Sequence, residues 1–146
     1  MTSEEKARRL AEHLHLALER LESAERRDPR LSENLTPQEA RVFKTVGREH
    51  RCIMSKVANA ICLSLSTCTG LIDRLCAKKL VKRDRSSEDR RIVEVELTDE
   101  GRALHKAAVE TRVHFARTLL ESLDPREQEQ FVALLEKAVE GLKAEA

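Results

Sequence analysis

Asp89 and Arg91 stand two residues apart, where a polar loop meets a strand-like segment. At the base of such a loop both side chains can point the same way, so the carboxylate can fix the direction of the guanidinium and leave other N–H donors free. An arginine preset at the tip of a β-ribbon suits the narrow minor groove of A·T-rich DNA, where negative potential is concentrated. Arg83, Arg85 and Arg90 add positive charge nearby for phosphates. The alternative is a loop that is only solvated.

A second set of polar residues lies on a predicted helix that follows Ser64 and ends near Lys79. Its apolar face, spaced 0, +3, +4 and +7, consists of Cys68, Leu71, Ile72 and Leu75. The residues left at the cap or on the outward side are Ser64, Leu65, Ser66, Thr67, Thr69, Gly70 and Arg74. Small hydroxyl residues, with a glycine that permits close approach, suit a helix that enters the major groove by its N-terminus. Ser64, Ser66 and the free N–H groups there can also bind phosphate, although such residues often serve only as caps.

The charge of the chain is unevenly distributed. Over the whole sequence 27 Lys/Arg and 26 Asp/Glu give a formal charge of +1, which indicates nothing about a polyanionic partner. Residues 51–91 hold ten Lys/Arg and four Asp/Glu and carry +6, whereas the remaining 17 Lys/Arg and 22 Asp/Glu give −5. A basic segment between acidic ones is the electrostatic footprint of a surface that binds a polyanion, and a merely solvated face is the alternative.

Several other classes of function find little support. Cys52, Cys62, Cys68 and Cys76 contain no C-x2-C pair, so the spacing favours no zinc site. Cys68 is expected in the core and Cys76 nearer the surface, while Cys52 and Cys62 lie near turns. No nucleophile motif or phosphate-binding loop is present, so neither an enzyme nor a cofactor is predicted. With three Phe and no Trp or Tyr, a stacking platform for single strands is also disfavoured.

A cytoplasmic location is predicted, with no membrane partner. No apolar run approaches the roughly 18 residues that a membrane span needs. The segment from Met1 to Arg9 is polar and charged and lacks the apolar stretch of a signal peptide. The four thiols are then expected to be reduced.

Hydrophobic periodicity predicts the elements that position these residues. The run Thr36–Glu39 begins a helix with a capping box and a proline at its first position. A short helix from about Ser55 to Ile61 and the helix after Ser64 then form the outline of a helix-turn-helix. The period changes to that of strands at Val81–Arg85 and Ile92–Leu97, which form a β-hairpin.

Long helices are predicted on both sides of this hairpin and helix pair, over residues 3–27, 99–123 and after Asp124. The first helix carries a leucine stripe and the last an apolar face. These residues are Leu10, Leu14, Leu18 and Leu21 on the first, and Phe131, Leu134, Leu135, Ala138 and Leu142 on the last. So short a chain offers little to cover them, and a symmetric homodimer is the economical solution.

The predicted fold class is therefore α+β and mostly α. Residues 36–99 form a winged helix-turn-helix domain in this prediction, and residues 1–35 and 100–146 form a helical dimerisation region.

The central part of the chain, from about Leu35 to Gly101, resembles the MarR family of bacterial winged helix-turn-helix regulators. The wing fits that family's D-x-R-x5-L-T pattern, and upstream segments look like its helix-turn-helix and first wing strand. The runs that carry the resemblance are Ser55–Ala58, Ser66–Leu75, Leu80–Arg83 and Asp89–Thr98, followed by Gly101.

The resemblance implies a homodimeric transcriptional repressor that binds a pseudo-palindromic duplex operator. Arg91 would enter the minor groove with Asp89 orienting it. Ser66, Thr67, Thr69 and Gly70 would lie where major-groove contacts are made, and Ser64 and Arg74 where phosphates are met. The first and the last two helices would build the dimer. A small anionic or phenolic effector would bind between the dimer and the DNA-binding lobes.

The sequence departs from the family pattern at several positions. Leu65 occupies a position that is commonly polar, which suggests contact with a thymine methyl group in place of a hydrogen bond. Cys62 and Lys79 stand where a helix-ending glycine is common, so the geometry of both turns is left open.

Variants of this function stay open, as does activation in place of repression. Peroxide-sensing relatives use a cysteine on the first helix, which has none here, so thiol sensing would have to use Cys52, Cys62 or Cys76. Zinc-responsive relatives make His13, His105 and His114 conceivable ligands, although surface or core histidines are favoured. A winged-helix module that binds a protein is the remaining alternative.

Overall fold

The computed structural model describes residues 1–31 and 34–144. Six helices and three strands follow one another in these residues. They are α1 (Ser3–Arg27), a 3-10 turn (Pro29–Leu31), α2 (Pro37–Glu49), β1 (Cys52–Ile53), α3 (Met54–Ala60), α4 (Leu65–Ala77), β2 (Val81–Arg85), β3 (Val93–Leu97), α5 (Asp99–Leu120) and α6 (Pro125–Ala144). The α+β, mostly α class is confirmed. The chain divides into two compact units, Glu25–Val109 and Met1–Ala24 with Glu110–Ala146.

The start of α2 is fixed by a buried glutamate. The hydroxyl of Thr36 accepts from the Glu39 N–H at 3.2 Å and the Thr36 N–H donates to Glu39 Oε2 at 3.1 Å, which confirms the predicted capping box. Glu39 is only 3% exposed, and Lys78 Nζ lies 2.7 Å from Oε2. Lys78 also donates to the carbonyl of Asn34 at 2.6 Å. One carboxylate thus joins the beginning of α2 to the end of α4.

Replacing Glu39 with glutamine is expected to lower the free energy of unfolding at pH 7 by about 2 kcal/mol, because Lys78 loses its charged partner at a buried site. The hydrogen bond from Lys78 holds the pKa of Glu39 below its ordinary value of 4.5. A lowered pKa means that the stabilisation is fully present above the unfolded-state pKa and is lost as the pH falls through the folded-state pKa. The wild-type advantage over Glu39→Gln should therefore shrink below about pH 4.5.

Urea titrations at several pH values measure this difference. Glu5→Gln is the matched control, since Glu5 makes the same reciprocal cap with Thr2 but is exposed. An equal gap between wild type and Glu39→Gln at pH 7 and pH 3.5 would contradict the assignment.

The core of the Glu25–Val109 unit lies between α2, α3, α4 and the sheet. Val42, Val46, Val57, Ile72 and Val95 come from these four elements and are all fully buried. Because α3 and α4 bury their apolar faces against α2 and β3, their polar faces point outward, which is the arrangement of a helix-turn-helix.

The three strands form an antiparallel sheet in the order β1-β3-β2. The hairpin pairs Val81 with Leu97 and Arg85 with Val93, and β1 adds a pairing of Cys52 with Val95. Sequence periodicity did not predict β1, because a two-residue strand has no detectable alternation. The predicted end of α5 near residue 123 was also wrong, since the helix ends at Leu120.

Thr98 and Gly101 connect the start of α5 to the residues just before β2, the first wing strand. The Thr98 hydroxyl donates to the Lys79 carbonyl at 2.6 Å, and the Thr98 N–H donates to the Leu80 carbonyl at 3.0 Å. The Gly101 N–H in turn donates to the Thr98 hydroxyl at 3.0 Å, as a helix cap. A Cβ on Gly101 would overlap the carbonyl oxygen of Leu80. The run from Leu97 to Gly101 thus connects the two wing strands to α5, and its last residue has to be glycine.

Both turns that the sequence left open use the left-handed conformation without glycine. Cys62 has φ 55° and Lys79 has φ 61°. His50, at the end of α2, also has a positive φ, 61°. These backbone angles are uncommon for residues with a Cβ and need support from the surrounding structure.

The other unit, built from α1, the end of α5 and α6, keeps large apolar side chains at its surface. Leu10 and Leu18 of α1 are about 60% exposed and Leu134 and Leu142 of α6 about 67% exposed. Leu119 of α5 is 44% exposed.

No single helix among the described residues is long and apolar enough to cross a membrane. The bent pair α3 and α4 has the length and composition to do so together, but Val57, Ile72 and Leu75 of this pair are buried in the core.

Candidate nucleic-acid interface

Ser64 fixes the start of α4. Its hydroxyl accepts from the Thr67 N–H at 3.1 Å and donates to Thr67 Oγ1 at 2.8 Å, so the predicted cap is confirmed. The predicted apolar face is confirmed as well. Its four residues, each 3% exposed or less, are Cys68, Leu71, Ile72 and Leu75. The orientation of α4 about its own axis is therefore set by the core.

The outward face of α4 carries the residues predicted there. Leu65, Ser66, Thr67, Gly70 and Arg74 are exposed and Thr69 is half-buried. The Thr69 hydroxyl donates to the Leu65 carbonyl at 2.8 Å, so its proton is used within the helix. A Cβ on Gly70 would meet nothing within 4 Å, so this position is open to a close approach from outside. The N-terminal turns of α4 present a small, mostly polar surface.

The wing loop is closed by its own hydrogen bonds. The Ser86 N–H donates to the Ile92 carbonyl at 2.8 Å, and the Ile92 N–H donates to the Asp89 carbonyl at 3.0 Å. The Arg85 guanidinium crosses the loop and donates to the Arg90 carbonyl at 2.8 Å. Arg85 therefore supports the loop through one of its N–H groups and keeps others for a partner.

Asp89 holds Arg91 in the way that the sequence suggested. Arg91 Nε and Nη2 lie 3.2 and 3.3 Å from the two carboxylate oxygens, and the Arg91 backbone N–H donates to Oδ1 at 3.0 Å. These bonds hold the pKa of Asp89 below its ordinary range, with the Arg91 guanidinium as the main cause. The Arg91 side chain is nevertheless 91% exposed. Its direction is set while most of its surface remains open to a partner.

Arg83 has a partner that sequence reasoning missed. Its Nη2 lies 2.7 Å from Oδ1 of Asp73, on the outer side of α4. This ion pair connects α4 directly to the first strand of the wing. No periodicity relates a helix position to a strand position ten residues later, so the sequence offered no signal for it.

A groove between α4 and the wing contains both arginines. It measures about 410 Å³ and we call it the helix–wing groove. Its lining includes Ile53, Met54, Leu65, Arg83, Arg91, Ile92 and Val93. Ile53 and Met54 were not predicted to belong to the site, because Ile53 lies in the unpredicted strand β1 and Met54 follows it directly. The groove combines aliphatic walls with two guanidinium groups.

Three of the four cysteines are poorly placed for redox chemistry. Cys52 and Cys68 are buried in the core, and Cys76 is half-buried. Burial raises the pKa of all three thiols, which lowers the fraction of reactive thiolate at neutral pH. Cys52, expected near a turn, directly follows the bend at residues 50–51 and is the first residue of β1. Cys62 is exposed. Within residues 1–31 and 34–144, no three His, Cys, Asp or Glu side chains could together hold a metal ion.

Comparisons with known proteins match the central part of this chain to one family. Residues 35–93 match the MarR family. The HTH-type transcriptional regulator YfiV of Bacillus subtilis is 36% identical over 95 residues, which are 63% of this chain and 59% of YfiV. The chain spans about three fifths of the length of the first curated relatives that it matches.

Solved structures share the fold along nearly the whole chain. Streptococcus pneumoniae FabT, solved in complex with DNA, has a TM-score of 0.80 at 21% identity, covering 96% of this chain and 99% of FabT. Bordetella bronchiseptica BpsR, whose DNA binding is regulated by 6-hydroxynicotinic acid, has a TM-score of 0.60 at 28% identity, covering 90% of this chain and 98% of BpsR. The matched residues 35–93 contain α4, β2 and the wing loop with Asp89 and Arg91, so this central part of the chain is similar to the MarR family.

Proposed function

We propose that this protein is a sequence-specific transcriptional regulator that binds double-stranded DNA as a homodimer in the cytoplasm and represses transcription until a small effector releases it. One observation carries the proposal. The open N-terminal face of α4 and the preset Arg91 flank one groove in a segment of net charge +6. A polar helix face beside a projecting arginine matches the shapes of the major and minor grooves.

The site residues divide by the group that they would contact. Ser66, Thr67, Thr69 and Gly70 would face base edges in the major groove, and Ser64 and Arg74 would meet phosphates. Arg91 would enter the minor groove, oriented by Asp89, with Arg90 and Arg85 on the flanking phosphates. Since Arg83 is held by Asp73, it would contact phosphate only with the N–H groups that this pair leaves free.

Exposed apolar side chains support the homodimer. The leucines of α1 and α6 are largely exposed, and large exposed apolar surfaces mark sites of protein association. A two-fold partner would bury them and would place two copies of α4 on a pseudo-palindrome, with half-sites about one helical turn apart.

A small effector that releases the DNA completes the proposal. BpsR responds to 6-hydroxynicotinic acid. A small anionic or phenolic molecule is the corresponding class for this chain.

Selection of bound sequences from a random duplex pool tests the proposal. We expect enrichment of an inverted repeat whose half-sites lie about one turn apart, and an affinity that falls steeply as salt rises, because bound phosphates release counterions. Candidate anionic and phenolic molecules are then tested for release of the selected duplex. A pool without enrichment, or binding that salt does not change, would overturn the proposal and favour a winged-helix module that binds a protein.

A further inference from the structure

Leu65 is an exposed aliphatic residue in the first turn of α4. It is 53% exposed and follows the Ser64 cap directly. Leu63, two residues earlier, packs against the core cluster, whereas Leu65 does not. The fold therefore does not account for a large apolar side chain at position 65.

The surroundings of Leu65 extend the apolar surface. Ile53 and Ile92, which also line the helix–wing groove, are each 39% exposed. Leu65 itself lies at the N-terminal end of α4, the end that a docking helix brings to the base edges. The two guanidinium groups in the same groove belong to Arg83 and Arg91. A partner that fits this groove has to present an apolar group close to negative charge.

Duplex DNA offers one such apolar group on a base edge in the major groove, the C5 methyl of thymine. The neighbouring Thr69 cannot donate its hydroxyl proton to a base while it donates to the Leu65 carbonyl. Thr69 is therefore not a donor beside Leu65, and the exposed aliphatic side chain of Leu65 is suited to contact a methyl group.

We propose that Leu65 selects thymine at one position of each half-site by packing against the C5 methyl group. This inference rests on the proposed function and adds to it the class of base that the operator carries opposite Leu65.

Deoxyuridine substitution tests the proposal, because it removes only the methyl group and keeps the Watson–Crick edge. Each thymine of the selected duplex is replaced singly, and affinity is measured by fluorescence anisotropy at fixed salt. For the wild type we expect one thymine in each half-site whose replacement weakens binding by about fourfold. This is the effect of losing one methyl group that is buried on binding. In Leu65→Ala the same replacement should change nothing, since the methyl group has lost its contact.

Leu65→Met is the matched variant that keeps an apolar side chain of similar size, and it should keep the sensitivity to deoxyuridine. Circular dichroism and thermal unfolding of both variants should equal those of the wild type, because Leu65 lies outside the core cluster.

The proposal is overturned if no thymine is sensitive in the wild type, or if Leu65→Ala keeps the same sensitive position. In either case tight binding of the unsubstituted duplex would leave the proposed function standing. If the wild type binds no duplex, the proposed function itself fails.

Discussion

Replacing Arg91 with alanine is expected to weaken binding of the selected operator by at least about 2 kcal/mol, or about thirtyfold, while the protein stays folded. The Arg91 side chain is 91% exposed and touches the rest of the protein mainly through Asp89, so its loss should cost little stability. On DNA the effect should be large, because Asp89 has already fixed the guanidinium direction and little side-chain entropy is lost on insertion.

Fluorescence anisotropy with the selected duplex measures the loss. Arg8→Ala is the matched control. Arg8 is likewise exposed and paired with a carboxylate, that of Glu4, but it lies on α1, outside the Glu25–Val109 unit. The same net charge is removed in both variants. If the two bind equally well, the assignment of Arg91 to the minor groove is wrong.

The second large effect concerns stability. Gly101→Ala is expected to lower the free energy of unfolding by roughly 3 kcal/mol, because the new methyl group overlaps the carbonyl oxygen of Leu80. That carbonyl is fixed by the Thr98 N–H, and Leu80 is itself buried. Neither the strand nor the start of α5 can move away without breaking the joint at Thr98.

Urea titration followed by circular dichroism measures this loss. Gly141→Ala is the matched control, since Gly141 lies in α6 with nothing within 4 Å of an added Cβ. There the substitution should stabilise by roughly 0.5–1 kcal/mol, through better helix propensity. Equal stabilities of the two variants would show that the Leu80 carbonyl can be displaced at little cost.

Features made by residues close in sequence were predictable. The Thr36 and Glu39 cap and the Asp89 and Arg91 pair each depend on side chains two or three residues apart, so residue type and spacing are sufficient to specify them. The hairpin was predicted for the same reason, because alternation at Val93, Val95 and Leu97 is a local signal.

Features made by residues distant in sequence were not predictable. Lys78 meets Glu39 across 39 positions, and Arg83 meets Asp73 from another element. Strand β1 is too short to show a period, so the burial of Cys52 could not be foreseen. Such contacts follow from how the helices pack, which one sequence without its fold does not specify. The roles of the individual site residues on DNA stay predictions until binding is measured.

The position of β2 at the edge of the sheet has a consequence for aggregation. An edge strand presents unpaired backbone groups on which another chain can add a strand. In β2 the four residues after Val81 are exposed and charged, namely Lys82, Arg83, Asp84 and Arg85. A second copy laid along this edge would have to remove water from these four charged side chains. The basic side chains of β2 that would contact a polyanion thus also disfavour pairing of this edge with a second copy of the chain.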